Sequence, residues 1–159
     1  MSELPFKIAV LDGIQVNDLE SLYLNQCGPT LQFLEALVSH NPCRVWVLSV
    51  FGEMKGVICC QLVVGNAELI DLRIASDYRR KGLGRELLRS SMHELYHLGV
   101  KDVGLEVRES NGTARSLYLS LGFRETSRRR NYYRCSSGRE DAILMSLSLP
   151  KLIRSDGNY

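Results

Sequence analysis

Arg79-Arg80-Lys81-Gly82-Leu83-Gly84 is the stretch on which the fold turns. Before it runs Ala67 to Ile74, a β-rich segment. After it, Leu83, Leu87, Leu88, Met92 and Leu95 recur at helical spacing, and Gly99 stands where a C-terminal cap belongs. A strand therefore passes through a glycine turn into a helix. A helix start offers backbone N–H groups without helical acceptors, at the positive end of the dipole. An anion such as a pyrophosphate fits there. Glycine at 82 and 84 lets the main chain approach such a group without a Cβ in the way. Arg79, Arg80, Lys81 and Arg85 add positive charge around it. No Gly-Lys-Ser/Thr follows, so this is not a Walker loop, and G-x-G-x-x-G is incomplete, so it is not a dinucleotide fingerprint. Taken alone, the hexapeptide reads equally well as a helix entry with a solvated basic rim.

Working outward, Val103, Leu105 and Val107 alternate as a strand, with Gly104 and Glu106 on its other face. Ala114, Leu117, Tyr118 and Leu121 share one helical stripe, opened by Asn111 and stopped by Gly122. Arg124–Tyr133 and Ala142–Leu149 pair as a closing hairpin. Upstream, Phe6–Val10 is a first strand, and Asn17 with Glu20 resembles a capping box for a helix carrying Leu19, Leu22 and Tyr23. Pro29 opens a second helix with Leu31, Leu34, Leu37 and Val38 on one side. Val45–Phe51 and Val57–Val64 are strands joined through Gly52–Gly56, and Gly65-Asn66 turns into the strand that precedes the glycine loop. The order predicts an α/β (α+β) fold: a mixed, mostly antiparallel sheet with helices on both faces. One domain over residues 1–150 is expected, with 151–159 a flexible tail.

The chain has 159 residues, 45% of them hydrophobic, enough for a single core. No run is long and apolar enough to span a bilayer, and Met1-Ser2-Glu3-Leu4-Pro5 does not read as a signal peptide. Five cysteines without regular spacing argue against a disulfide framework and offer no zinc pair, which suggests a reducing cytoplasm. The net charge of +2 does not by itself imply nucleic acid. His93 and His97 are spaced i, i+4 without a flanking Glu-His pattern, and no metal site is expected. Cys59-Cys60 falls within a strand and reads as buried structural thiols rather than nucleophiles.

The glycine turn resembles motif A of the GNAT superfamily of N-acetyltransferases, R/Q-x-x-G-x-G/A, whose loop binds the pyrophosphate of coenzyme A. The resemblance runs from about Ala67 to Leu149 and implies a single-domain GNAT fold. It narrows to bacterial ribosomal-protein-alanine N-acetyltransferases of the RimI type through several blocks. These are Gly82-Leu83-Gly84-Arg85, Leu105-Glu106-Val107-Arg108-Glu109-Ser110-Asn111, Ala114, Leu117-Tyr118 and Ser120-Leu121-Gly122-Phe123. Arg129-Arg130-Asn131-Tyr132-Tyr133 and Gly138-Arg139-Glu140-Asp141-Ala142-Ile143 follow in the same order. The first half departs: where that type carries a Pro-Trp-Ser segment, this chain has Gln26-Cys27-Gly28-Pro29-Thr30.

The resemblance implies acetyl-CoA as cosubstrate. It implies that Leu72, Arg73 and Ile74 flank the pantetheine arm through their backbone. Arg79, Arg80, Lys81, Gly82, Leu83, Gly84 and Arg85 would hold the diphosphate, and Asn111 would touch the cofactor while also serving as a helix N-cap. Glu106 becomes the general base and Tyr118 the acid that reprotonates the sulfur. Tyr132 and Tyr133 would line the acceptor cleft. Read from pattern alone, Tyr118 is a core tyrosine and Glu106 a solvated strand carboxylate. An α-amine with a pKa of ~7.7–8 is already about one-tenth neutral at pH 7, whereas a lysine at ~10.4 is almost wholly protonated. A protein N-terminus, such as a ribosomal protein's N-terminal alanine, therefore needs only a modest base. Two other readings stay open at this point. One is a GNAT enzyme for a small-molecule amine or lysine side chain. The other is a non-catalytic module binding coenzyme A or RNA, in which the arginine-rich hairpin is the working surface. A monomer is favoured, with no membrane and no direct nucleic-acid partner.

Overall fold

The computed structural model describes residues 5–11, 16–24 and 28–156. They form strand β1 (Phe6–Val10), helices α1 (Val16–Tyr23) and α2 (Leu31–His40), and strands β2 (Cys43–Val50), β3 (Glu53–Val63) and β4 (Asn66–Ile74). A 3₁₀ turn (Ser76–Tyr78) leads to α3 (Leu83–His97). Then come β5 (Asp102–Arg108), α4 (Gly112–Ser120), the hairpin β6 (Arg124–Cys135) and β7 (Gly138–Ser148), and α5 (Leu149–Asp156). The seven strands lie in one sheet in the order β1-β2-β3-β4-β5-β7-β6. Every neighbouring pair is antiparallel except β4 and β5. That parallel step needs a long crossover, and α3 supplies it.

Alternation along the strands sends apolar side chains to both faces. On one face, Leu48, Ile58, Leu69, Leu105 and Met145 pack against Leu87, Leu88, Met92 and Leu95 of α3, Tyr118 and Leu121 at α4, and Leu149 and Leu152 of α5. On the other, Val45, Val47, Val57 and Cys59 pack against Leu19, Leu22, Leu31 and Leu34 of α1 and α2. The larger cluster also holds Trp46, whose Nε1–H donates to Glu94 Oε2 at 2.5 Å, tying β2 to α3.

The expected mixed sheet with helices on both faces is what the chain forms. Several boundaries differ. Helix α2 begins after Thr30, whose hydroxyl accepts from the Phe33 N–H at 3.1 Å; Pro29 precedes the cap instead of opening the helix. Helix α1 starts at Val16, so Asn17 lies inside it rather than at its cap. The hairpin strands run on to Cys135 and back from Gly138. Residues 151–156, expected as part of a flexible tail, continue helix α5, and buried Leu149 and Leu152 anchor it on the α3 face. Pro150 permits this because a first-turn proline loses no helical hydrogen bond. The rest of the expected tail, 157–159, lies outside the described residues.

One irregularity in β4 shapes everything that follows. Cys60 pairs with Leu69 but Cys59 pairs with Asp71, so Ile70 is an extra residue, a β-bulge. The parallel pairing of β4 with β5 ends at the same place, at Leu69↔Leu105. Beyond it, β4 stays paired with β3 out to Ile74, and β5 stays paired with β7 out to Arg108. The two strands therefore fork, each held only on its outer side.

Candidate active site

The fork is a slot walled by Leu72, Arg73 and Ile74 on one side and by Glu106 to Arg108 on the other. An extended chain can enter a gap between two strands and use the hydrogen-bonding groups they no longer share. The sequence-expected cofactor strand, Leu72-Arg73-Ile74, is one wall. Leu72 and Ile74 turn toward the α3 cluster. The Arg73 side chain does not: it is buried among the other helices, so any cofactor contact from this residue is through its backbone.

At the head of the slot lies the glycine turn. Gly82 occupies the α3 cap position with φ +80 and makes no side-chain cap bond, while Arg85 and Glu86 N–H donate back to its carbonyl. The first amides of α3 therefore face outward without helical acceptors. A Cβ at Gly82 would meet nothing within 4 Å, so open space lies before it, and the glycine is there for its left-handed backbone. Arg80, at φ +61, bends the loop further. Arg79, Arg80 and Lys81 are exposed around this opening. Arg79 Nε donates to the Ile74 carbonyl at 2.9 Å, fixing the loop to the end of β4. Lys81 Nζ lies 5.0 Å from the Tyr78 ring centre. Arg85 Nη1 donates to Ser120 Oγ at 2.7 Å, so this arginine is partly engaged in joining α3 to α4. The loop fits a diphosphate by its free amides, its space and its charge.

Glu106 and Tyr118 border the slot from opposite faces. Glu106 points away from the α3 cluster that buries its neighbours Leu105 and Val107. Its Oε1 pairs with Arg129 Nη1 at 3.0 Å. Tyr118 sits in the α3 cluster with its ring 5.6 Å from that of Phe123. Burial raises its phenol pKa, and the negative charge of Asp71 and the thiol of Cys60 push the same way, so the hydroxyl stays protonated. Asn111 caps α4, its Oδ1 accepting from the Ala114 N–H at 3.2 Å.

The final hairpin closes the same side as Glu106. Between Arg129↔Ala142 and Tyr133↔Glu140, the residues Arg130, Asn131 and Tyr132 oppose Asp141 alone. Asn131 takes φ +52 and gives its N–H to Asp141 Oδ1 at 2.9 Å. This bulge sets Tyr132 and Tyr133 edge to face, 5.0 Å apart. Arg129 lies over Tyr132 and Arg108 over Tyr133. Burial, followed by the charge of Glu106, raises the Tyr133 pKa, which ties this ring to the carboxylate. A trough of about 370 Å³ continues from Glu106 past Gly104, Glu68, Thr126 and Leu144 on this face of the sheet. Much of the hairpin's charge is spent internally: Arg128 pairs with Glu109 and Asp141, and Arg108 with Glu140.

Nucleophilic catalysis by cysteine finds no support in these surroundings. Burial pushes the Cys59 thiol up to about 12 and raises Cys60 well above its usual value, so both stay protonated. Among the described residues, no group of three His, Cys, Asp or Glu is arranged to hold a metal, and no helix is long and apolar enough to cross a membrane.

Glu106, Tyr118, the glycine turn and the hairpin tyrosines, each named from the sequence, lie around this slot. It missed Arg129 as the partner of Glu106. It also missed a buried cluster behind β4: Asp71 Oδ2 accepts from Tyr23 O–H at 2.8 Å and from Arg73 Nε at 2.7 Å, and Arg73 Nη2 donates to the Pro29 carbonyl at 2.6 Å. Opposite charges two apart in an otherwise apolar strand, Leu69 to Ile74, were the available signal.

Comparison with known proteins agrees with this geometry. The acetyltransferase (GNAT) family model matches residues 14–123. The chain is 47% identical over 143 residues to the [ribosomal protein bS18]-alanine N-acetyltransferase of Escherichia coli K12, covering 87% of this chain and 97% of the relative. It is 42% identical over 147 residues to the Haemophilus influenzae protein of the same name, covering 89% and 100%. The crystal structure of the Escherichia coli ribosomal-protein-S18-alanine N-acetyltransferase superposes with a TM-score of 0.84, covering 91% of this chain and 94% of that one, with 33% identity across the superposed residues. A strand fork headed by a glycine turn, on a chain so related, has one family reading: the protein belongs to the GNAT acetyltransferases and is an acetyl-CoA-dependent N-acetyltransferase.

Proposed function

We propose that this enzyme acetylates the N-terminal α-amine of a protein, a ribosomal protein's N-terminal alanine, with Glu106 as base and Tyr118 as acid. The observation that carries the reading is the fork: a carboxylate on one face and a buried, protonated phenol on the other. The thioester arm lies along Leu72-Arg73-Ile74, with its diphosphate on the amides at Gly82–Gly84. Backbone N–H groups of β4 polarise the thioester carbonyl, an oxyanion role worth roughly 3–4 kcal/mol for a well-placed donor. The amine nitrogen attacks the carbonyl carbon from the Glu106 side, and Glu106 takes the proton, directly or through a water. The tetrahedral intermediate collapses, the C–S bond breaks, and the Tyr118 hydroxyl hydrogen-bonds and protonates the departing sulfur. The names of the relatives support this acceptor class, and an acceptor made in the cytoplasm supports a cytoplasmic enzyme.

The test is mass spectrometry of ribosomal proteins from cells with and without the enzyme. One protein should lose an N-terminal acetyl group when the enzyme is absent. Unchanged N-termini throughout, together with turnover on free lysine or polyamine but not on alanyl peptides, would overturn the reading.

A further inference from the structure

Asp71 and Arg73 form a buried ion pair on β4, with side-chain exposures of 10% and 7%, directly after the Ile70 bulge. Nothing about the strand demands charge here. The pair faces the apolar cluster built from α1 and α2, and an apolar pair of similar volume generally does as well or better for stability. What charge adds is direction. Asp71 receives the hydroxyl of Tyr23, the last residue of α1. Arg73 gives one N–H to the Pro29 carbonyl, next to the Thr30 cap of α2, and lays its guanidinium 4.1 Å from the Tyr23 ring centre. Gly28, at φ +109, leaves room for it, since a Cβ there would come within 3.3 Å of Arg73 Nη2. Both ends of the α1–α2 connection are thus bound to one point on the wall of the slot.

Its described ends, Tyr23 and Pro29, lie on the face opposite α3. The glycine turn and Tyr118 occupy the α3 face, so the cosubstrate enters from there. The acceptor must reach the carbonyl from the other face, where Glu106, the hairpin tyrosines, Tyr23 and Pro29 stand.

We infer that Asp71 and Arg73 are positioning residues for the acceptor, holding the end of α1 at Tyr23 and the chain before α2 at Pro29 beside the fork, so that these two residues form part of the acceptor cleft's wall. The inference rests on the slot being the acetyl-transfer site, but not on which amine is used. The pair acts through the connection it holds and touches neither the thioester nor the diphosphate with its side chains.

The test is steady-state kinetics of the full chain, following thiol release, with acetyl-CoA and an eight-residue peptide bearing a free N-terminal alanine. The double variant Asp71→Asn/Arg73→Met removes both charges together, so no buried charge is left alone. The acceptor KM should rise on the order of tenfold while the acetyl-CoA KM moves less than about twofold, the pattern of lost acceptor binding rather than lost chemistry. Tyr23→Phe, which removes only the hydroxyl bond to Asp71, should shift the acceptor KM in the same direction by a smaller factor. Hydrogen exchange should quicken at residues 28–31 and stay unchanged in α3. An unchanged acceptor KM, or a parallel loss in both KM values and kcat, overturns the inference. If the wild type ignores the peptide but acetylates spermidine or lysine, the ribosomal reading falls. The same split must then appear with that amine for the inference to stand.

Discussion

Glu106 Oε1 and Arg129 Nη1 stand 3.0 Å apart, so the candidate base on β5 is held by a cation from the closing hairpin. Glu106→Gln keeps the shape and removes the proton acceptor. It is expected to lower kcat by about 10²–10⁴-fold, the usual worth of a positioned base. Affinity for coenzyme A, measured by calorimetry, should not move. A variant with full turnover would remove Glu106 from the chemistry.

Tyr118 is expected to act as a neutral hydrogen-bond donor at every working pH, because burial raises its pKa above the usual phenol value. Tyr118→Phe should therefore reduce kcat without changing the shape of the pH–rate profile. A lost alkaline limb would mean that the phenol ionises in the working range.

The same direction has a stability consequence. The folded phenols of Tyr23 and Tyr118 both hold their protons more tightly than in the unfolded chain, chiefly through burial. Their contribution is complete below the unfolded value of ~10 and is lost as pH rises from there toward the folded values. Chemical denaturation followed above pH 10 should show stability falling with pH, and Tyr118→Phe should flatten that slope.

At the acid end the sign reverses for Glu140. The Ser110 side chain, then the Arg108 guanidinium and the Ser110 N–H, hold its carboxyl below the usual carboxylate range. Its contribution is present above the unfolded value of ~4.3 and disappears as pH falls through the folded one. Glu140→Gln should weaken the neutral-pH advantage over acid in a thermal melt, because the bridge joins β7 to β5 and to the turn before α4.

Gly82→Ala separates backbone from space. A Cβ at this position meets nothing, but φ +80 is left-handed, so the expected loss is about 1–2 kcal/mol from strain alone. A Cβ at Gly84 would lie 3.5 Å from Ile74 Cγ1, an ordinary contact, so Gly84→Ala should melt within a few degrees of the wild type.

How much of this was legible depended on sequence distance. The unit from Ala67 to Gly99 declares itself locally, since strand alternation, glycine turn and helical stripe follow one another without interruption. Glu106 and Tyr118 were singled out by the resemblance of their blocks, since their periods alone make one a solvated strand carboxylate and the other a core tyrosine. Arg73 was expected to serve through its backbone alone, and its side-chain cluster with Asp71 went unread because the partners, Tyr23 and Pro29, lie 48 and 44 positions away. The Ile70 bulge left no glycine or proline to mark it. Residues 151–156 were expected in a tail because they close the chain, whereas Leu149 and Leu152 bury against α3 and hold them as a helix. Arg129 was one arginine among several, and only the register of β6 against β7 places it beside Glu106.

Side chains in a strand alternate strictly, so one surplus residue inverts their parity. Excising Ile70 would restore plain alternation. The unpaired part of β4 would be free to zip onto β5, sealing the entrance of the slot. Leu72 and Ile74 would stay on the α3 side and Asp71 and Arg73 on the side of α1 and α2, because Leu69 and Asp71 already pair with successive residues of β3. A single-codon deletion there should therefore abolish coenzyme A binding while the chain still folds, whereas replacing Ile70 with valine, which keeps the residue count, should spare both.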